Sequence, residues 1–112
     1  MAINNSQIAD LAEELTVTTL TGSPTWDAFN GVLLFNPVII IFDNQSAVAI
    51  QISKNGSTVW RTFPPGEALV LDMRAAHGYA PNYTFSQGTQ FFARGIAGAN
   101  TFSISYTYAL NL

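Results

Sequence analysis

The residue types that do chemistry are few in this chain, and they stand far apart. His77 is the sole histidine, so an imidazole metal site or a Ser-His-Asp relay would rest on it alone. Its neighbours Arg74, Gly78 and Tyr79 supply neither ligand spacing nor an orienting carboxylate. Glycoside hydrolysis requires two facing carboxylates, one of them held protonated. Beyond the N-terminal segment the acids are Asp27, Asp43, Glu67 and Asp72. Three of these stand at expected turns or strand ends, where a carboxylate stabilises the turn and aids solubility. No dozen residues gather the carboxylates of a calcium loop. The stretch Arg94 to Asn100 (RGIAGAN) sets glycines beside a cation, yet it lacks the spacing and the lysine of a phosphate loop. Cysteine is absent, which excludes thiol catalysis, zinc ribbons, iron–sulfur clusters and a disulfide scaffold. The expectation is a protein that is not an enzyme and has no catalytic residue, metal or cofactor.

Aromatic side chains offer another kind of chemistry. Trp60, Tyr79 and Tyr83 could stack on sugar rings, and tryptophan is also enriched at protein interfaces, where it buries a large rigid area. The elements that would carry these residues are mostly strands. Only residues 6–15 (SQIADLAEEL) have a helical pattern, with Ile8, Leu11, Ala12 and Leu15 on one face and Asp10, Glu13 and Glu14 on the other. Asn5 or Ser6 can cap it. Ten residues make a marginal helix, so this one needs a surface, on its own domain or on a neighbouring subunit. Residues 16–30, with Ser23-Pro24 and Trp26, read as a connector.

From Gly31 the pattern turns to strands. GVLLF (31–35) stops at Asn36-Pro37, and VIIIF (38–42) shows no alternation, as expected of a strand covered on both faces. AVAIQIS (47–53) and STVWRTF (57–63) flank Asn55-Gly56, the dipeptide that favours a two-residue type I′ hairpin. That loop would pair Ile52 with Val59, Ile50 with Arg61 and Val48 with Phe63, leaving Trp60 on the opposite face from Ile50 and Ile52. After the Pro64-Pro65-Gly66-Glu67 turn, Leu69, Leu71 and Met73 of ALVLDM (68–73) are expected to alternate inward. A long connection at 74–88, with a short YTF strand (83–85) inside it, then leads to GTQFFARG (88–95) and the alternating TFSISYTYA (101–109). Such spacing describes an all-β fold: a β-sandwich or jelly roll of about seven or eight antiparallel strands with a short N-terminal helix or arm. The expected division is an arm with helix and connector at 1–30 and a sandwich at 31–112. Candidate core residues are Ile50, Ile52, Leu69, Leu71, Phe102 and Ile104.

The 112 residues fit one domain. Charged residues make up only 10%, against about 25% in an average soluble protein. Ser, Thr, Asn and Gln fill the gap, giving a polar but nearly uncharged surface. The net charge is −3, and Lys54, Arg61, Arg74 and Arg94 are scattered, so nucleic acid is not an expected partner. No basic-then-apolar leader opens the chain, and its longest apolar run falls far short of the roughly 20 residues that span a bilayer. Synthesis in the cytoplasm with no membrane partner is the expectation.

Asn36-Pro37 before a β-branched strand, Asp43-Asn44 after it, and Pro65-Gly66-Glu67 before ALVLDM make an order that resembles small virion proteins of tailed bacteriophages. These decorate or cement the capsid or form short fibres on it. The resemblance covers about two thirds of the chain, from Phe35 to Tyr108. It implies a structural protein on the outside of a phage capsid, held to the major capsid protein and to its own copies as a dimer or trimer. Few charges suit a surface covered by neighbours, since desolvating unpaired charge is costly. Ile8, Leu11, Leu15, Trp26 and Trp60 are the candidate interface residues. The competing expectation is a carbohydrate- or receptor-binding β-sandwich module of a phage fibre.

Overall fold

The computed structural model describes residues 11–72 and 85–108, which form eight strands. They are β1 (Leu11–Val17), β2 (Asp27–Val32), β3 (Pro37–Asn44), β4 (Ile50–Ser53), β5 (Val59–Phe63), β6 (Ala68–Asp72), β7 (Gln90–Arg94) and β8 (Phe102–Tyr108). Two four-stranded sheets result, ordered β1-β8-β3-β6 and β2-β7-β4-β5, and every pairing is antiparallel. Within this order the partnerships are nested. β1 pairs with β8, β2 with β7, β3 with β6 and β4 with β5. Each pair encloses the next, so the chain is one long hairpin rolled into two layers. That is the eight-stranded jelly roll within the all-β expectation.

Alternation explains which side of each strand is buried. Ile40 and Phe42 of β3, Ile50 and Ile52 of β4, Phe91 and Ala93 of β7, and Phe102 and Ile104 of β8 all point between the sheets and are buried. Phe42 sits at the centre of an aromatic cluster, with the rings of Trp60, Phe85, Phe91 and Phe63 at 5.0, 5.7, 5.6 and 5.8 Å. Fully buried side chains of this size each contribute about 1.5–3 kcal/mol. Leu69 and Leu71 pack against this core as half-buried residues. Met73 lies outside the described residues, as do Tyr83 and Thr84 of the expected YTF strand, and Phe85 is not in a strand.

Four local expectations need correction. First, the described residues contain no helix, and residues 11–17 are a strand. The same segment alternates as well: Leu15 and Val17 are buried, while Glu14 is exposed. Register with β8 runs from Leu11↔Tyr108 to Val17↔Phe102, and this ladder satisfies backbone groups that a marginal helix would leave to water. The part of the expected helix before Leu11 lies outside the described residues. Second, the boundary at residue 31 falls inside β2. β1 and β2 are edge strands of the two sheets, so residues 11–30 belong to the sandwich and are not an arm. Their edges are tied by Asn30, whose Oδ1 accepts from the Thr16 backbone N–H (3.1 Å) while its Nδ2 donates to Thr16 Oγ1 (3.3 Å).

Third, residues 33–36 form the link between β2 and β3 rather than a strand ending at Asn36. Fourth, the β4–β5 register is displaced by two. Ile50 pairs with Phe63 and Ile52 with Arg61, and a bulge lies between Ile52 and Ser53. Ser53 is opposite Val59, so Trp60 is the extra residue. Bulges re-aim side chains, and Trp60 turns to the core side with Phe63 instead of facing away from Ile50 and Ile52. Asn55 closes a longer loop than the two-residue turn. Its Oδ1 accepts from the backbone N–H groups of Ser57 and Thr58, both at 2.9 Å.

One corner is fastened by a single buried amide. Asn44, with 0% of its surface exposed, ends β3 where the chain leaves for the other sheet. Its Nδ2 lies 2.9, 3.1 and 3.0 Å from the carbonyl oxygens of Val48, Phe63 and Pro64, to which it donates. Its Oδ1 accepts from the Ser46 N–H at 3.0 Å and the Ser46 hydroxyl at 2.7 Å. A side-chain amide has two donors and two acceptor lone pairs, and here all are engaged. The inter-sheet links after β3 and after β5 are thereby held together.

Candidate functional site

The outer face of the β2-β7-β4-β5 sheet carries a strip of planar polar groups. Phe91 and Ala93 point inward, so Gln90, Phe92 and Arg94 point out. The ladder puts Gln51 of β4 opposite Arg94, and Thr62 of β5 opposite Gln51. On the other flank, Asp27 pairs with Ala93, so Trp26, one residue earlier, comes beside Arg94. The Arg94 guanidinium lies over the Trp26 ring with its central carbon 4.3 Å from the ring centroid. Its Nε donates to Gln51 Oε1 at 2.6 Å. Residues from three strands or their ends thus hold one cation flat.

That geometry decides what the strip can do. A cation over an indole face gains about 0.5–1 kcal/mol at an exposed site, and the Nε–H bond fixes the plane of the guanidinium. The terminal Nη groups make no hydrogen bond or ion pair with another described residue. Asp27, the nearest acid in the ladder, is engaged elsewhere: its carboxylate accepts from the Thr21 N–H (2.9 Å) and hydroxyl (2.7 Å). A pre-oriented guanidinium fork matches a carboxylate or phosphate with two parallel hydrogen bonds. The indole face turned toward Arg94 is already covered, which reduces what a sugar ring could stack on.

The other sheet presents a different outer face. Across its four strands one row runs Glu14, Ser105, Ile41, Val70, and the next runs Ala12, Thr107, Ile39, Asp72. Val70 is 59% exposed on the edge strand, and Ile39 and Ile41 are half-buried beside it. The unbroken aliphatic run of β3 therefore has a complete cover on its core side only, among the described residues. The four strands contribute Glu13, Glu14, Asp43 and Asp72 and no Lys or Arg.

The five residues expected at an interface separate on this structure. Ile8 lies outside the described residues. Leu11 opens β1 opposite Tyr108. Leu15 is a core residue with 6% exposure, so it has no surface to offer a neighbour. Trp60 is half-buried against Phe42 and Phe85. Trp26 alone belongs to an outward strip. His77, Tyr79 and Tyr83 fall outside the described residues. The sequence brings up Arg94 only as the cation beside a rejected glycine loop and does not offer Gln51 as a site residue, although the face that Gln90 and Arg94 share in QFFAR already marks Arg94 as outward-facing. Their partnership with Trp26 depends on strand order, which no local pattern reveals. No protein-family model, curated protein or solved structure matches the chain.

Proposed function

We propose that the chain is a structural protein of a bacteriophage particle that binds the outside of the capsid and cements or decorates it. The major capsid protein is its partner, its own copies are neighbours, and its place is the virion surface. The observation that carries this reading is the outer face of the β1-β8-β3-β6 sheet. There Val70, Ile41 and Ile39 stand in register with Ser105 and Thr107, an aliphatic and hydroxyl mix that gains from being covered. The order of turns and strands that resembles small virion proteins points the same way. The jelly roll serves viral capsid and lectin domains alike, so the architecture by itself does not choose between them.

One observation favours the second reading, a carbohydrate-binding module: Trp26, Arg94, Gln51 and Thr62 make an outward strip of aromatic and hydrogen-bonding groups. Mixing purified protein with expanded, empty phage shells and sedimenting them separates the two. Saturable co-sedimentation, with density on the outer shell surface by electron microscopy, is the expected result. Binding to glycans with none to shells would replace the first reading by the second.

A further inference from the structure

The two outer faces are opposite in charge. On the β1-β8-β3-β6 side the outward acids are Glu14, Asp43 and Asp72, with no cation on any of the four strands. On the β2-β7-β4-β5 side Arg94 is the charge at the centre of the strip, fixed by Gln51 and Trp26. Asp43 shares its carboxylate with Gln45 Nε2 at 3.1 Å. Glu14 is exposed and makes no hydrogen bond or ion pair with another described residue. Among the described residues, a guanidinium whose Nη groups have no partner and a carboxylate with none thus stand on opposite sides of one small sandwich.

We propose that Arg94 receives the carboxylate of Glu14 from a second copy of this chain. The acidic, aliphatic face of one subunit then lies on the Trp26–Arg94–Gln51 strip of the next. This inference rests on the assembly reading above and names the contact through which copies meet. The contact is front-to-back: each subunit offers Glu14 on one side and Arg94 on the other. A two-fold axis joins like patches and cannot generate it, so a head-to-tail contact closes into a ring of three or more, or runs on as a filament. Val70, Ile41 and Ile39 on one side and Phe92 on the other supply apolar area around the charge pair, where partial desolvation strengthens it.

Charge reversal tests the pairing. Sedimentation velocity over a range of protein concentrations is run on the full chain and on Arg94→Glu, Glu14→Arg and the double reversal, with a melting curve for each. The wild type is expected to associate, and each single reversal to weaken association by about tenfold or more. The double reversal is expected to recover most of it. Arg94→Gln, which keeps a hydrogen-bonding side chain, is expected to melt as the wild type does and still associate more weakly. If the wild type associates and the Arg94 variants associate equally well, the inference fails and the assembly reading stands. Weakened singles with no recovery in the double reversal also overturn the Glu14 pairing. A wild type that remains monomeric at every concentration removes both.

Discussion

Asn44 and Arg94 are both polar side chains fixed by hydrogen bonds, and they stand in opposite situations. Every donor and lone pair of the Asn44 side chain is engaged within the chain, at a site closed to solvent. Arg94 commits one N–H to Gln51 and one face to Trp26, and its terminal Nη groups have no hydrogen bond or ion pair among the described residues. The first arrangement is what a fold needs, because a buried amide left unpaired is costly. The second is what recognition needs, because an oriented group with free donors has already lost the entropy that binding would otherwise take. Unused capacity in a rigid setting separates the two roles better than residue type does.

Substitutions can break or sharpen that contrast. The largest effect is expected for Asn44→Ala, which removes the amide donor from the carbonyls of Phe63 and Pro64 at the corner and leaves that of Val48 to the Ser46 hydroxyl alone. A loss of about 3 kcal/mol is expected in chemical denaturation. Asn44→Asp should lose a similar amount near neutral pH, since a carboxylate cannot donate to those carbonyls. If either variant is as stable as the wild type, the corner does not depend on this amide. Trp60→Ala comes next, at about 2–3 kcal/mol, less than a fully buried tryptophan because the ring is half-exposed. It should lower the melting temperature and leave association of the folded protein unchanged. Weaker association at full stability would return Trp60 to the interface. The smallest effect on stability belongs to Arg94→Gln, about 0.5 kcal/mol or less. A large loss of stability there would make Arg94 a fold residue like Asn44 and erase the contrast.

How much of this was legible in the sequence depends on how local each signal is. The alternation of Phe102, Ile104, Tyr106 and Tyr108 needs no partner to be read, and β8 lies where it predicts. The same holds for Ile50 and Ile52, both fully buried. LAEELTV satisfies a helical and an alternating pattern together, and only the ladder offered by β8 decides between them. Asn55-Gly56 correctly marks a turn. Its register follows from the bulge at Trp60, which the aromatic cluster around Phe42 requires and which no dipeptide encodes. The Trp26–Arg94 pair is the least legible feature, because the β2–β7 pairing that joins them is set by the nesting of the whole chain.

That nesting also has a consequence for the order in which the molecule can assemble itself. The β4–β5 pair closes across the short loop at Asn55-Gly56, the cheapest closure the chain possesses. Each enclosing pair then spans a long stretch of sequence, and β1 with β8 spans nearly all of it. Loop-closure entropy rises with the logarithm of the separation, so a chain that began with β1 and β8 would meet the greatest cost first. If the inner hairpin forms first, each outer pair adds only the links outside those already fixed. Folding should therefore proceed outward from Asn55 as a zipper, slowly, as the dominance of distant pairings dictates. The β1–β8 ladder, which carries Glu14, is then the last to close.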